Sequence, residues 1–310
     1  MKNMFIHKIK YRFHRIGFYL RAVKFYIQDN KQNENIIKCI FKAIFSNLRL
    51  FNYKLGYYEY LEIPITTKCS LKCKHCSNLI PCYKNPHDYD LNMLIKSINA
   101  FLECINKIVY IRVLGGEPFI SKNLYDVLKT LLDSNKIYRI EIVTNGTIIP
   151  NDKKLIKLLK DKRIIVSISQ YPIVDYNKLV DFLKDNNIGY RIDKMNFWMD
   201  YGKPIKHHKT KKELTRQYTI CSHVCKSLVN GEFHLCPRSS HGRELGIIKD
   251  NEDDYLNLLD KSLSIDEKRK RLNALLRKKY IIACDYCDFA TNKSKKVPVA
   301  EQLKGKKKNI

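Results

Sequence analysis

The sequence predicts an α/β fold in which five or six parallel strands form an open or partial barrel. From Tyr60 onward, short runs rich in β-branched residues alternate with helical patterns. A repeated strand–helix–strand order produces right-handed parallel units, and the number of units is too small for a closed eightfold barrel. We therefore expect the active site in the loops that follow the carboxyl ends of the strands.

The predicted elements follow one another along residues 59–205. The strands are Leu61–Thr66, Ile108–Leu114, Ile140–Thr144, Ile164–Ser169 and Gly189–Asp193, with a weaker one at Asn196–Tyr201. The helices are Leu91–Cys104, Leu124–Asn135, Asp152–Leu159 and Tyr176–Asp185.

Residues 1–58 form a predicted basic helical extension. Its apolar residues recur at alternating steps of four and three, which makes one stripe: Ile9, Phe13, Ile16, Leu20, Val23 and Ile27. The stripe fits a helix packed on protein, and it also fits a helix at residues 5–27 lying on an anionic membrane surface. Charged residues interrupt this region throughout, so it is neither a signal peptide nor a membrane span of about 18 apolar residues. We expect a cytoplasmic protein, with peripheral membrane contact as an open alternative.

After residue 205 the pattern changes. A lysine-rich connection at 206–212 precedes Asn230-Gly231, which predicts a hairpin between strands Ser227–Val229 and Glu232–Leu235. Helical residues follow from Tyr255 to Lys279. Residues 206–290 are thus a second, smaller domain, and 291–310 form a loose basic tail.

Composition narrows the possible functions. Apolar residues make up 45% of the 310 residues, which excludes a disordered chain. The chain is rich in Lys, Ile, Asn and Tyr, as is typical of proteins from AT-rich genomes, and this accounts for part of the formal net charge of +27. The rest of the charge favours anionic partners such as nucleotides, phosphorylated sugars, anionic lipid or nucleic acid.

Eleven cysteines in a cytosolic protein indicate metal binding rather than disulfides. Nine of them fall in three groups: Cys69, Cys73, Cys76 and Cys82; Cys221, Cys225 and Cys236; Cys284 and Cys287. The other two, Cys39 and Cys104, have apolar surroundings and are expected to pack in the core.

The first group follows the first predicted strand directly. Cys69, Cys73 and Cys76 lie within eight residues, so a short loop can bring their thiolates to one centre. A structural zinc site normally has four closed ligands, whereas three cysteines suggest a 4Fe–4S cluster with one iron open to substrate. Cys82 as a fourth ligand, giving a closed cluster or a zinc site, is the alternative.

This CxxxCxxC pattern, followed by Gly115-Gly116-Glu117 at the end of the second strand, resembles the radical S-adenosylmethionine (SAM) superfamily over residues 60–290. The resemblance implies a partial (β/α)6 radical SAM barrel. It also implies that Cys69, Cys73 and Cys76 hold a cluster whose fourth iron binds SAM. Gly115, Gly116 and Glu117 would then contact the methionine amino group.

The same resemblance implies further SAM contacts. His75 stands where the family has an aromatic residue beside adenine, and Asn145 ends the third strand. Ser169, in preference to Ser167, would contact the ribose and the methionine carboxylate. Gly189 opens the fifth strand, where the family often has a glycine near adenine.

The later cysteines resemble the shortened "twitch" form of the SPASM extension. Nine residues separate Cys221 from Gly231, four more precede Cys236, and a Cys-x-x-Cys pair follows. The implied ligands of one auxiliary 4Fe–4S cluster are Cys221, Cys236, Cys284 and Cys287. Cys225 could replace Cys221, ligate in addition or face solvent, and a zinc site is the alternative.

The resemblance implies an enzyme that cleaves SAM reductively and abstracts hydrogen from a substrate C–H bond. We expect oxidation or rearrangement of a small polar, sugar-like substrate, with a flavodoxin- or ferredoxin-like electron donor. A ribosomal-peptide maturase and a non-catalytic iron–sulfur or zinc protein that binds nucleic acid are the alternatives. Arg238, His241 and Arg243 are expected as either substrate contacts or exposed loop residues.

Overall fold

A computed structural model describes residues 57–221 and 225–303. The predictions of an N-terminal helix, of its membrane contact and of a packed Cys39 lie outside these residues. Within the described part of the chain, no helix has the length and apolar character needed to cross a bilayer.

The predicted α/β architecture is confirmed. The five parallel strands are β1 (Tyr57–Pro64), β2 (Lys107–Leu114), β3 (Ile137–Thr144), β4 (Ile164–Gln170) and β5 (Tyr190–Lys194), side by side in the order β5-β4-β3-β2-β1. The intervening helices are α1 (Leu91–Cys104), α2 (Leu124–Leu132), α3 (Lys153–Leu159) and α4 (Asn177–Asp185). All five strands and all four helices predicted between residues 61 and 193 are present, with ends shifted by a few residues.

The two faces of the sheet differ because side chains alternate along a strand. One face is apolar, contains fully buried residues such as Leu61, and packs against the helices. The opposite face is polar: Glu62 lies in register with Arg112, and Arg112 with Glu141. Arg112 Nε and Arg191 Nη1 each lie 2.7 Å from a Glu141 carboxylate oxygen. The hollow side of the sheet is therefore charged.

The sixth strand differs from the prediction. β6 (Trp198–Met199) leaves the sheet and pairs with β10 (Lys296–Val297). It does not occupy the position beside β5 that was expected for a sixth strand of the barrel. The sheet is instead extended at its other edge, where β7 (Ser227–Val229) runs parallel to β1. The N–H of Glu62 donates to Lys226 O at 2.8 Å, because the β1 edge has no other partner strand among the described residues.

The predicted hairpin is confirmed. β7 pairs antiparallel with β8 (Glu232–His234), and Asn230 and Gly231 both have positive φ angles, 49° and 83°, as a two-residue turn requires. β9 (Tyr255–Asn257) then joins β8 where a helix was expected. The helix α7 (Ile265–Leu275) begins later, behind the Ser264 capping box. The two predicted domains thus share one sheet.

The lysine-rich connection and residues 291–303 of the tail that was predicted to be loose are both packed. Lys209, in the lysine-rich connection, has a side chain only 11% exposed. Helix α5 (Lys211–Ile220) follows, capped by Thr210. Residues 291–303 lie against the protein, and Gln302 forms an antiparallel bridge with Cys73. Both segments pack because they contact cysteine-bearing loops. The predicted core position of Cys104, which is 1% exposed, is confirmed.

Candidate functional site

The cysteine loop lies at the carboxyl end of β1 and is held by the end of β2. The N–H of Gly116 donates to Thr66 O at 2.9 Å, and the N–H of Glu117 donates to Lys68 O at 2.8 Å. A Cβ atom on Gly115 would lie 2.2 Å from Thr66 O, and one on Gly116 would lie 2.0 Å from Lys68 O. The glycine pair is therefore needed because two backbone segments approach each other closely.

A cavity of about 400 Å³ opens at this end of the sheet. Its lining includes most of the residues predicted for the cluster and SAM: Cys69, Cys73, Cys76, His75, Gly115, Gly116, Asn145 and Ser169. A pocket of this size is ordinary for a small-molecule site. The three cysteines, from one loop, and the SAM-binding candidates, from three different strand ends, face the same space.

The three thiols have hydrogen-bond donors around them. Leu71 N–H donates to Cys69 Sγ at 3.5 Å, and Asn145 Nδ2 lies 3.6 Å from the same sulfur. Gln302 Nε2 donates to Cys73 Sγ at 3.3 Å. Such donors stabilise thiolate sulfur. The chain therefore offers three cysteines in a donor-rich, partly buried setting that fits a cluster.

Burial raises the pKa of both Cys69 and Cys76 to about 11. These thiols are thus protonated at neutral pH until a cation binds, so loading the site releases protons. Cys82 is exposed and does not line the cavity. Among the described residues, no group of three His, Cys, Asp or Glu side chains is arranged round a single metal ion.

Glu117 has a different environment from the one expected. Its side chain is fully buried and does not line the cavity. Its carboxylate accepts hydrogen bonds from Thr144 Oγ1 (2.8 Å), Asn145 N–H (2.8 Å) and Phe119 N–H (3.1 Å). Burial raises the pKa of Glu117 to about 7, and these bonds lower it in part. The carboxylate thus joins the ends of β2 and β3, while the glycine pair faces the cavity.

The remaining predicted SAM contacts separate into two sets. Ser169 lines the cavity, whereas Ser167 donates to Asp193 Oδ2 at 2.5 Å. His75 also lines it, and its two ring nitrogens lie 3.1 Å from Asp200 Oδ1 and from a Glu301 oxygen. Gly189 directly precedes β5. It therefore lies at the amino ends of the strands, whereas the cavity lies at their carboxyl ends, and it is absent from the cavity lining.

The second and third groups of cysteines, from here on called together the second group, come from separate segments. Cys221 ends α5, Cys225 precedes β7, and Cys236 follows β8; Cys284 and Cys287 lie in and after the turn Ile282–Tyr286. Burial raises the pKa of Cys236 to about 11, and Cys287 raises it further. Burial likewise raises the pKa of Cys284 to about 12, with contributions from Cys236 and Cys287. These three thiols are therefore neighbours.

Cys225 lies against the first strand. Burial raises the pKa of the Cys225 thiol well above the usual range, and the nearby Glu62 and Cys236 raise this pKa further. It thus lies between the hollow face of the sheet and the second cysteine group rather than facing solvent.

Two buried cations border the second group. Lys209 Nζ donates to Cys284 O at 3.0 Å and to Cys287 O at 2.5 Å. Arg238 is 4% exposed and donates to Gly202 O and Tyr286 O, each at 3.2 Å. No carboxylate of the described residues lies within ion-pair distance of Arg238, and its Nε atom has no hydrogen-bond partner there. Lys209 Nζ lies 3.9 Å from Asp288 Oδ1, so Arg238, and not Lys209, is the buried cation that lacks an acidic partner among the described residues; such a cation favours an anionic group nearby.

The exposed-loop interpretation of Arg238 and His241 is wrong. Both lie buried on helix α6 (Pro237–Glu244) because this helix packs between β7, β8 and the last cysteine turn. His241 Nδ1 lies 2.8 Å from Tyr83 Oη, and burial lowers the pKa of His241 to about 3. Arg243 pairs with acidic side chains instead. None of the three lines the cavity.

Sequence reasoning missed several cavity residues. They are Glu62, Arg112, Tyr171, Trp198, Tyr201 and Phe289. Polar and apolar residues alternate along β1 and β2, and this pattern could have indicated that Glu62 and Arg112 face the hollow side of the sheet. The four aromatic residues stand on loops and on the displaced β6, where no periodic pattern marks them.

Residues 63–206 match the family model described as the Radical SAM superfamily. This part of the chain is a radical SAM domain. The protein is therefore an iron–sulfur enzyme of a family that uses a 4Fe–4S cluster and SAM.

Curated relatives named GTP 3′,8-cyclase are similar over part of the chain. The protein from Alkaliphilus metalliredigens is 33% identical over 113 residues, which are 36% of this chain and 34% of the relative. The one from Clostridium acetobutylicum is 26% identical over 151 residues, 48% and 46% of the two chains. The radical SAM chain thus spans less than half the length of these relatives.

Two of the solved structures that are similar to this chain are the following. BtrN in complex with AdoMet and 2-DOIA has a TM-score of 0.47 and 15% identity, covering 79% of this chain and 97% of BtrN. SuiB from Streptococcus suis bound to S-adenosylmethionine has a TM-score of 0.37 and 19% identity, covering 52% of this chain and 39% of SuiB.

Proposed function

We propose that this radical SAM enzyme cleaves SAM reductively and abstracts a hydrogen atom from a C–H bond of a small polar substrate. In this proposal Cys69, Cys73 and Cys76 hold the SAM-binding cluster. An auxiliary 4Fe–4S cluster is held by four later cysteines: Cys221, Cys236, Cys284 and Cys287.

The observation that carries the proposal is one cavity that is lined by the first three cysteines and also by Tyr201, which lies near the later cysteines. At one end it is lined by the first three cysteines and by Tyr171. At the other end stands Tyr201; burial raises the pKa of its hydroxyl, and the thiols of the second group raise it further. A substrate in this space would therefore lie between the two proposed clusters.

When bound, the first cluster together with SAM supplies a 5′-deoxyadenosyl radical by one-electron cleavage of a carbon–sulfur bond. The chain's own residues position the reactants. The backbone of the glycine pair, Asn145 and Ser169 offer polar contacts for SAM at neighbouring strand ends. Tyr171, Trp198 and Phe289 line the cavity with apolar surface, which excludes water from a radical reaction.

The far end of the cavity suits a small polyhydroxylated substrate. Glu62 and Arg112 place an acceptor and a donor there, and the rings of Tyr201 and Phe289 stack 5.3 Å apart as an apolar wall. The relatives named GTP 3′,8-cyclase add support for a phosphorylated substrate. We infer oxidation or rearrangement of a sugar-like molecule, with the auxiliary cluster accepting an electron or holding the substrate.

A reducing electron donor is required by the chemistry of the family. We infer a flavodoxin- or ferredoxin-like protein. The cysteine loop supports this inference because it carries the exposed cation Lys72, which would attract an acidic partner.

The test is anaerobic reconstitution, an iron and sulfide count, and reaction with dithionite and SAM. About eight irons, at four per cluster, with 5′-deoxyadenosine as product, are expected. A count of about four irons would contradict the proposed auxiliary cluster, and the absence of 5′-deoxyadenosine would contradict SAM cleavage. UDP-glucose and GTP are then added separately, and a faster 5′-deoxyadenosine release with either would support the substrate class. Stimulation by neither, but by a peptide, would contradict it.

A further inference from the structure

Residues 299–303, here named the C-terminal strap, lie on the loop that carries the first cysteines. The N–H of Lys74 donates to Glu301 O at 2.7 Å, and the N–H of Leu303 donates to Lys72 O at 2.8 Å. Gln302 and Cys73 face each other in this short antiparallel pairing. A segment more than 220 residues away in the sequence thus pairs with the backbone of a cluster ligand.

The strap also covers the loop with apolar side chains. Val299 and Ala300 are 6% and 0% exposed and form one buried cluster with Cys73. Partly buried neighbours complete it: Leu71, Cys76, Tyr171 and Trp198. Water is thereby kept from one side of Cys73.

The side chain of Gln302 is fixed by its neighbours in one orientation. Its Oε1 accepts from Lys72 N–H at 2.8 Å, and a backbone N–H can only donate. Its Nε2 donates to Ala300 O at 2.7 Å, and a carbonyl can only accept. The group directed at Cys73 Sγ, 3.3 Å away, is therefore the amide N–H and not the oxygen.

We propose that the C-terminal strap completes the SAM-binding cluster site and that Gln302 is a positioning residue, which holds Cys73 Sγ and raises the reduction potential of the cluster. A hydrogen bond to a ligand sulfur stabilises the additional negative charge of the reduced form, so it favours reduction. The inference depends on Cys73 being a cluster ligand, and not on the proposed substrate.

The test is a redox titration of the reconstituted full-length chain, followed by electron paramagnetic resonance. It is done in a Cys284→Ala/Cys287→Ala background, so that only the first cluster titrates. Gln302→Leu removes the amide at similar size, and we expect a more negative midpoint potential with an unchanged iron count. Leu303→Gln is the matched control: its side chain is exposed on the same strap, the change alters no charge and keeps the amide of Gln302, and it should leave the midpoint near that of the background.

Equal midpoints for Gln302→Leu and the background protein would overturn the proposal. If Gln302→Leu does not retain iron, thermal unfolding of the iron-free proteins decides. If Gln302→Leu loses iron but unfolds at the same temperature as the background protein, the strap is supported as part of the site. If Gln302→Leu unfolds at a lower temperature and Gln302→Glu restores the iron, the proposal is contradicted. Because these measurements need no turnover, failure of SAM cleavage or of substrate stimulation would not be confused with failure of this inference.

Discussion

The two cysteine sites of this protein are built in opposite ways. The first takes Cys69, Cys73 and Cys76 from one loop of eight residues. The second draws on a helix end, a hairpin and a turn spread over residues 221–287. A local loop needs little tertiary structure to bring its thiols together, whereas the second site forms only when the hairpin has joined the sheet.

Their surroundings differ as well. Neutral donors face the first site, namely the amides of Asn145 and Gln302. Cations border the second, namely Lys209 and Arg238. A cluster with four thiolates carries more ligand charge than one with three, so buried cations offset a larger anionic charge there. This difference is in keeping with our proposal of an open, SAM-binding site and a closed auxiliary one.

The largest expected effect comes from removing one ligand at each site. Cys73→Ala should abolish 5′-deoxyadenosine formation, while Cys284→Ala should retain SAM cleavage in the absence of substrate; each should hold about four irons instead of about eight. Iron analysis and chromatography of the dithionite reaction check this. Cys104→Ala, in the core, is the control and should keep all the iron. Eight irons in Cys284→Ala would mean that the second site is not closed by that cysteine.

Gly116→Ala tests whether the first cysteine site depends on the close approach of Gly116 to the backbone of the cysteine loop. The new Cβ would lie 2.0 Å from Lys68 O, so the cysteine loop must move, at a cost of at least about 1–3 kcal/mol. We expect iron at the first site to be lost and iron at the second to remain. Gly246→Ala, whose Cβ would have no atom within 4 Å, is the comparison and adds only backbone strain. Equal iron in both variants would contradict the role of this contact.

Arg238→Met tests the charge difference between the sites. Without its buried cation, the auxiliary cluster should lose iron to a chelator about tenfold faster, the equivalent of about 1.4 kcal/mol, while the first cluster is unaffected. The time course of iron release measures this. Arg243→Met lies on the same helix but pairs with Asp250 and Glu232, and it should behave as the unmodified protein. Equal release rates for both variants would show that Arg238 does not serve the cluster.

The smallest expected effect concerns pH. Burial raises the pKa of Glu117 from 4.5 to about 7. Between these values the folded chain holds a proton that the unfolded chain has released, so this group lowers the stability as pH rises, by at most about 1.4 kcal/mol per pH unit. Glu117→Gln should remove that slope. Urea unfolding of the iron-free proteins at several pH values from about 5 to about 8 measures it, and parallel curves would contradict the assignment.

Local patterns were sufficient for much of the fold. The alternation of β-branched runs and helical stretches predicted β1 to β5, and the Asn230-Gly231 turn predicted the hairpin. The spacing of Cys69, Cys73 and Cys76, together with the glycine pair, predicted which loops meet at the cavity. Each of these signals lies within a short stretch of chain, where backbone geometry and the period of the apolar residues decide the structure.

Contacts between distant residues decided the rest. The sixth predicted strand forms as β6, but it pairs with β10 from much later in the chain and not with β5, a choice that depends on packing and not on strand propensity. The buried position of Glu117 and the pairing of Gln302 with Cys73 have no local pattern. The sequence by itself determined the strands, the hairpin turn and the three-cysteine motif; only the tertiary structure decided what surrounds each sulfur, because burial and hydrogen-bond partners there come from residues far apart in the chain.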